Sequence, residues 1–143
     1  MNISTIFNKR RWLTIVSLLV IVPLGILSKS YTGLMQWWFH GYAGAVLYEI
    51  FWCLFIFLLI PVKKSVKLIP IWVFFATCII ELIQLLQTPF LDAIRASFFG
   101  KWVLGSTFVW WDFPHYFLGS LLGWLWLRQI WRLGKAQRHE KAQ

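Results

Sequence analysis

Most of the acidic residues in this chain lie within or beside apolar stretches. Four of the five acids are so placed: Glu49, Glu81, Asp92 and Asp112. A charged side chain at the centre of a membrane costs roughly 3 kcal/mol even on lenient scales, so a buried acid needs a partner or a proton. Arg95 is the expected partner, because Asp92 precedes it by three residues, and Glu81 and Asp112 flank its segment in sequence. Lys101 is a second candidate.

The spacing of the polar residues places them on helix faces. Residues at i, i+4, i+7 and i+11 share one face, and this pattern links Thr77, Glu81, Gln84 and Thr88. A second stripe contains Asp112, His115, Tyr116, Gly119, Ser120 and Gly123. A weaker one contains Thr14, Ser17, Ile21, Gly25 and Ser28. Polar groups facing lipid are costly, so these faces are predicted to meet inside a helix bundle. Gly119 and Gly123 are predicted to allow close helix packing. Glu49 is predicted to be a secondary intramembrane site, either as a packing hydrogen bond or as a proton-carrying group.

Three kinds of chemistry fit this set of residues. In the first, the acids form an ion-pair and hydrogen-bond network with Arg95 that pins one segment to the helices. In the second, Arg95 and Lys101 attract a phosphate or carboxylate of a lipid or envelope precursor. In the third, Glu81 or Asp112 is a general base, with His115 or Tyr116 as the acid and the arginine stabilising an anionic transition state.

The sequence carries no known catalytic or metal-binding motif that would indicate a reaction. The sequence contains no HExxH, GxSxG or Walker motif, and Cys53 and Cys78 are isolated from one another and from histidine. Asp112 and His115 can share a helix face, but the chain offers no further metal ligands at a convincing spacing. No metal and no cofactor are therefore predicted, and an enzyme is the less favoured hypothesis.

The elements that must position these residues are membrane helices. The 143 residues are 59% hydrophobic and 13% charged, whereas a soluble domain carries about 25% charged residues. The net charge of +9 does not indicate nucleic acid, because too little polar sequence is present to build a basic surface. We predict an all-α, polytopic membrane protein with four transmembrane helices, at about 11–28, 43–60, 69–88 and 112–131. The first is predicted to be an uncleaved helix, since no signal-peptide cleavage site follows it.

The segment between the third and fourth helices differs from a solvated loop. Residues 89–111 are rich in Phe, Trp, Leu and Val, but Gly100, Lys101 and Gly105 interrupt them. We predict a short amphipathic helix at 91–99, a turn at Gly100, and an interfacial or re-entrant piece that ends at Asp112. This segment is expected to roof a cavity on the outer side of the membrane.

The distribution of cations predicts the orientation. Eleven Lys and Arg residues fall at one end of the predicted bundle: Lys9, Arg10, Arg11, Lys63, Lys64, Lys67, Arg128, Arg132, Lys135, Arg138 and Lys141. Only Lys29, Arg95 and Lys101 fall at the other. Cytoplasmic ends of membrane helices are enriched in Lys and Arg, so both termini are predicted to be cytoplasmic.

Four short motifs give the chain a family resemblance. They are Glu81-x2-Gln84, Pro89-x-Leu91-Asp92-Ala93-x-Arg95, Leu104-Gly105-x2-Phe108-x-Trp110-x-Asp112 and Tyr116-x2-Gly119-x3-Gly123. With these motifs the chain resembles domain-of-unknown-function family 2809, small bacterial membrane proteins that are similar to the VanZ-like family. The resemblance implies one VanZ-like transmembrane domain over 1–143 and a role in the cell envelope, since VanZ-like proteins are associated with resistance to teicoplanin-type antibiotics. It singles out Glu81, Gln84, Arg95 and Asp112 and assigns no catalysis.

The functional hypothesis is an integral protein of the bacterial cytoplasmic membrane. It is predicted to bind an anionic lipid or glycolipid headgroup in an outer polar cavity formed by Glu81, Arg95 and Asp112. Membrane lipids are the expected partners, and no nucleic acid is expected. The alternatives are a membrane-embedded hydrolase or transferase acting on an envelope lipid or precursor, and a small accessory subunit of a membrane complex.

Overall fold

The computed structural model of the protein describes residues 3–105 and 107–140, and the regular structure within these ranges is entirely helical. The elements are α1 (Ile3–Ser30), α2 (Gln36–Leu59), α3 (Ser65–Ile83), α4 (Pro89–Ala96), α5 (Phe98–Leu104) and α6 (Asp112–Glu140). In α2, a π-helical stretch, Phe39–Ala43, joins α-helical Gln36–Trp38 to α-helical Gly44–Leu59. The predicted all-α class is therefore confirmed for the described residues.

Three of these helices are long and apolar enough to cross a membrane: Asn8–Ser30 within α1, then α2, then α3. Helix α6 has sufficient length, at 29 residues, but falls outside this class. Residues such as His115, Ser120 and Arg128 lower its mean hydropathy. The third predicted span, 69–88, is wrong at its end, because α3 stops at Ile83 with Gln84 as its C-cap.

Helix α2 is the centre of the bundle and packs against α1, α3 and α6. Its residues Cys53, Leu54 and Phe57 are fully buried, as is Leu127 of α6. Helix α1 turns its small polar stripe toward this core. Thr14 and Ser17 are buried there, and the Trp126 indole N–H of α6 donates to the Ser17 hydroxyl at 2.9 Å. The bundle has two ends. At the α4–α5 end, α1 and α3 finish and α6 begins; at the termini end, α2 finishes and α3 begins.

The 89–111 segment contains two short helices rather than the predicted one. Thr88, expected on the face of α3, instead caps α4, since its hydroxyl accepts from the Leu91 amide at 3.3 Å and Pro89 occupies the first helical turn. The predicted turn at Gly100 is wrong, because the chain turns at Ser97. That residue is extended and caps α5 through the Gly100 amide at 3.0 Å.

Gly100 lies inside α5 for a packing reason. A Cβ built at this position would overlap the carbonyl oxygen of Ile94 in α4. Only glycine allows the two short helices to approach this closely. The helix-breaking character of glycine, on which the predicted turn depended, is therefore overridden by the contact between α4 and α5.

Candidate functional site

Glu81 is the centre of a polar cluster where α3 meets the α4–α5 end of the bundle. The residue is 1% exposed, and its carboxylate accepts three hydrogen bonds. Oε1 accepts from the Val109 amide at 2.9 Å, and Oε2 accepts from the Tyr116 hydroxyl at 2.9 Å and from Gln84 Nε2 at 3.0 Å. These bonds fasten α3 to α6 and to the chain that leads into α6. Three neutral donors thus stabilise a carboxylate that has been removed from water.

The end of α5 leaves space for the Gln84 side chain. Gly105 has a φ of 68°, in the left-handed region that favours glycine, and a Cβ there would lie 2.7 Å from Gln84 Nε2. This glycine ends α5 and leaves room for the Gln84 amide beside Glu81. Gln84 and Glu81 were both predicted from the helix face, but the glycine that accommodates them lies in the connecting segment.

Arg95 forms its predicted ion pair with Asp92 and has a further role that was not predicted. Its Nη2 donates to the carbonyl of Ile83 at 3.2 Å, and both terminal nitrogens reach the carbonyl of Leu86 at 3.4 Å. Its Nη1 also forms an ion pair with Asp92 at 3.2 Å. Carbonyls at the C-terminal end of a helix lack internal partners, and a guanidinium satisfies them well. Arg95 therefore caps α3 from the neighbouring helix α4.

The predicted grouping of Glu81, Arg95 and Asp112 around one cavity does not match these contacts. Within the described ranges, Arg95–Asp92 is the one ion pair with N···O within 4.0 Å, so neither Glu81 nor Asp112 has a cationic partner there. The backbone amide of Asp112 donates to the Val109 carbonyl at 3.0 Å at the start of α6, and its side chain is half-buried. Arg95 donates instead to the carbonyl of Ile83, at the end of α3, and to that of Leu86, just beyond it.

Arg95→Gln is expected to loosen the end of α3 without unfolding the bundle. The Asp92 side chain of the ion pair is 61% exposed, so the pair contributes little, whereas the contact with the Ile83 carbonyl is partly buried. We expect a loss of about 1–2 kcal/mol of stability and faster backbone hydrogen exchange in 84–96. Asp92→Asn is the matched control and should leave both quantities nearly unchanged. Equal effects of the two substitutions would contradict the capping role.

His115 and Tyr116 are neighbours in sequence but point to different partners. Tyr116 is buried and bonds to Glu81, whereas the His115 ring stacks on Tyr42 of α2 with centroids 4.4 Å apart. His115 Nδ1 lies 2.6 Å from the Trp111 carbonyl, where it serves as the donor. The structure therefore brings Tyr116, Gln84 and Glu81 together and separates His115 from them.

Glu49 and Ser120 form a second buried polar pair, deeper in the bundle. Glu49 is fully buried, and its Oε1 accepts from the Ser120 hydroxyl at 2.6 Å, while its Oε2 has no hydrogen-bond partner among the described residues. Helices α2 and α6 approach closely here. A Cβ at Gly119 would lie 2.6 Å from the Glu49 Cβ, and one at Gly123 would lie 3.0 Å from the Cys53 sulfur. The two glycines thus set the distance between these helices.

A family model for "Protein of unknown function (DUF2809)" matches residues 34–120. This chain belongs to the DUF2809 family. The matched range contains both polar clusters, from Glu49 to Ser120, so the DUF2809 resemblance inferred from the motifs is confirmed. No curated protein and no solved structure matches the chain. The relation to VanZ-like proteins stays a prediction.

Two contacts of this DUF2809 chain involve residues that sequence reasoning missed. The Tyr48 hydroxyl of α2 donates to the Val103 carbonyl of α5 at 3.1 Å. The Lys29 ammonium at the end of α1 lies 4.3 Å from the centroid of the Trp102 ring, a cation–π contact. Tyr48 belongs to no polar helix face in the sequence, so its contact could not be predicted. Lys29 could have been singled out, since it is one of only three cations at its end of the predicted bundle.

The 89–111 segment, called the α4–α5 segment below, is therefore fixed at three points. These tethers are Glu81 to Val109, Arg95 to the end of α3, and Tyr48 to Val103. Between them the segment exposes large apolar side chains. Phe90, Phe98, Phe99 and Trp110 are all at least 70% exposed. Lys101 is exposed beside Trp102 and has no ion-pair partner in the described part of the chain.

Proposed function

We propose that this protein is an integral membrane protein of the bacterial envelope that binds an anionic lipid or glycolipid headgroup at its outer surface. The observation that carries the proposal is the cation–π contact of Lys29 with Trp102 of α5, a helix that also carries the exposed Lys101. This helix belongs to a segment that is tethered to the bundle and strongly apolar. Cations beside tryptophan rings at a membrane interface attract anionic headgroups. The cations of the proposed site are thus Lys29 and Lys101, and Arg95 is a positioning residue.

A fourth span along α6 is part of this proposal. Gly119, Ser120 and Gly123 of α6 contact α2, and Trp126 contacts α1, so α6 runs beside the apolar helices over several turns. Its outward side chains in this stretch are apolar: Phe117, Leu118, Leu121, Leu122 and Leu125. An outward face of this kind favours lipid over water. Four spans would place both termini on the same side of the membrane.

The charges support cytoplasmic termini and an outer α4–α5 end. Lys63 and Lys64 lie between α2 and α3, and Lys67 lies in the first turn of α3, all at the termini end. The same end holds the basic residues of the first part of α1 and of the last part of α6: Lys9, Arg10, Arg11, Arg128, Arg132 and Lys135. The opposite end holds Lys29, Arg95 and Lys101, and the arginine is already paired with Asp92. This asymmetry agrees with the positive-inside rule. We infer that the protein lies in the cytoplasmic membrane in this orientation.

The α4–α5 segment is proposed to lie in the outer interface rather than to re-enter the membrane. Helix α4 is eight residues and α5 seven, and both carry a cation in their last turn. The exposed Phe and Trp side chains around these cations are typical of the boundary between headgroups and hydrocarbon. The three tethers keep the segment against the bundle, so its cations are pre-organised for a headgroup.

The geometry gives less support to the catalytic alternative. Both Glu81 oxygens are engaged by protein donors and the residue is almost completely buried, so a substrate would have to displace existing hydrogen bonds to reach it. Asp112 lacks the histidine partner that the sequence suggested, since His115 Nδ1 faces the Trp111 carbonyl.

The accessory-subunit alternative predicts one dominant protein partner and no lipid preference.

Removal of Lys29 and Lys101 tests the binding proposal. The double variant K29Q/K101Q should lose about tenfold in affinity for phosphatidylglycerol and keep its weak affinity for phosphatidylcholine, because only the former carries a net charge. Cross-linking of diazirine-labelled phosphatidylglycerol or phosphatidylcholine, located by mass spectrometry of the digested protein, measures both affinities at the α4–α5 end alone. K63Q/K64Q removes the same charge from two exposed residues at the termini end and is the matched control. Unchanged phosphatidylglycerol binding by K29Q/K101Q would exclude the site.

A further inference from the structure

An open groove lies between α3 and α6. Its volume is about 410 Å³, and its walls are formed by apolar side chains that include Phe74 of α3 and Phe117, Leu121 and Trp124 of α6. The two polar residues that line it are Lys67 and Ser120. Ser120 already donates to Glu49 at 2.6 Å, so the groove wall offers no free hydroxyl proton. The interior of the groove therefore suits hydrocarbon rather than a polar ligand.

The mouth of the groove at the termini end is cationic. Lys67 lies in the first turn of α3 and is exposed. Arg128 of α6 is also exposed, and its guanidinium carbon lies 5.5 Å from the centroid of the Trp124 ring that lines the groove. Neither cation has an acidic partner within 4.0 Å in the ranges 3–105 and 107–140. Two unneutralised cations, one on each wall, therefore flank an apolar slot.

We propose that this groove is a binding site for one anionic phospholipid, with an acyl chain in the groove and the phosphate between Lys67 and Arg128. The charge of the mouth is complementary to a phosphate, which can accept from the lysine ammonium and the arginine guanidinium at once. Basic pockets between membrane helices on the cytoplasmic side are typical sites for such headgroups. The site lies at the opposite end of the bundle from Lys29 and Lys101 and does not depend on the proposed outer site.

The experiment uses a phosphatidylglycerol with a photoactivatable diazirine in its acyl chain, incorporated with the full-length protein into nanodiscs. Mass spectrometry of the digested protein locates the cross-links. In the natural sequence we expect cross-links to α3 and to 117–124 of α6, in competition with unlabelled phosphatidylglycerol and not with phosphatidylcholine. K67Q/R128Q should reduce these cross-links about tenfold, whereas K63Q/K64Q, which removes two exposed cations at the same end but outside the groove, should retain them.

Two further variants separate this site from the outer one. Leu121→Trp fills the groove and should remove the cross-links to 117–124 even though both cations remain. K29Q/K101Q should leave them intact and affect only labelling near the α4–α5 end. Helix content by circular dichroism identifies any variant that does not fold, and Ile71→Trp on the opposite wall then replaces Leu121→Trp. Equal loss in K67Q/R128Q and K63Q/K64Q, or equal competition by phosphatidylcholine, would overturn the proposal.

Discussion

Glu81→Ala is expected to release the α4–α5 segment and to destabilise the bundle by about 2–4 kcal/mol. The substitution removes the shared acceptor of the Val109 amide, the Tyr116 hydroxyl and the Gln84 amide, all of which are at least partly buried. Each buried donor left without an acceptor costs about 1–3 kcal/mol, although some will find water. The apparent melting temperature in detergent should fall by roughly 5–15 °C.

Hydrogen exchange identifies the cause of this loss. If Glu81 is the tether, the amide of Val109 and its neighbours should exchange much faster in Glu81→Ala, while the amides of α2 around Leu54 stay protected. Glu81→Gln should have a smaller effect, because its carbonyl keeps part of the acceptor capacity and its volume is conserved. Asp92→Asn is the charge-matched control on an exposed carboxylate. Exchange at 107–111 that is unchanged in Glu81→Ala would refute the tether.

The sequence predicts the long helices well and their ends poorly. Continuous apolar runs place α1, α2 and α3, because twenty apolar residues have few alternatives to a buried or lipid-facing helix. The end of α3 is a different matter. Nothing in the hydropathy of 84–88 marks Ile83 as the last helical residue, and at this end the carbonyls of Ile83 and Leu86 accept from Arg95 of another helix. A tertiary contact of this kind has no local signal.

The polar cluster was only partly predictable for a similar reason. Helical spacing brings Glu81 and Gln84 onto one face and Tyr116 onto the inward face of α6, and these three residues do meet. The third donor to Glu81 is a backbone amide, that of Val109, and any residue can supply one. Charge pairing predicted Arg95 as the partner of the acids. The pair with Asp92, three residues away, does form, whereas Glu81 accepts from neutral donors instead. Opposite charges within a short sequence segment therefore predicted the local ion pair and not the partners of Glu81.

The contact between α2 and α6 depends on Gly119, and Gly119→Leu is expected to separate these helices. A Cβ at this position would lie 2.6 Å from the Glu49 Cβ and 2.8 Å from the Val46 carbonyl oxygen. Both are parts of a packed helix that cannot rotate away, so α6 must move as a unit. This movement also breaks the 2.6 Å bond from Ser120 to Glu49 and leaves that carboxylate buried without a donor. Overpacking of this kind costs about 3 kcal/mol, and the lost hydrogen bond adds to it.

Gly25→Leu in α1 is the matched control, because a Cβ there meets nothing within 4 Å. Leucine has a higher helix propensity than glycine, so this control should be neutral or more stable by up to about 1 kcal/mol. We therefore expect the apparent melting temperature of the purified protein to fall in Gly119→Leu and to stay equal or rise in Gly25→Leu. A spin-label pair on α2 and α6 should show an increased distance in Gly119→Leu alone. If both variants melt at the same temperature, close packing at Gly119 does not hold α6 against α2, and the Glu49–Ser120 bond would have to stabilise the contact by itself.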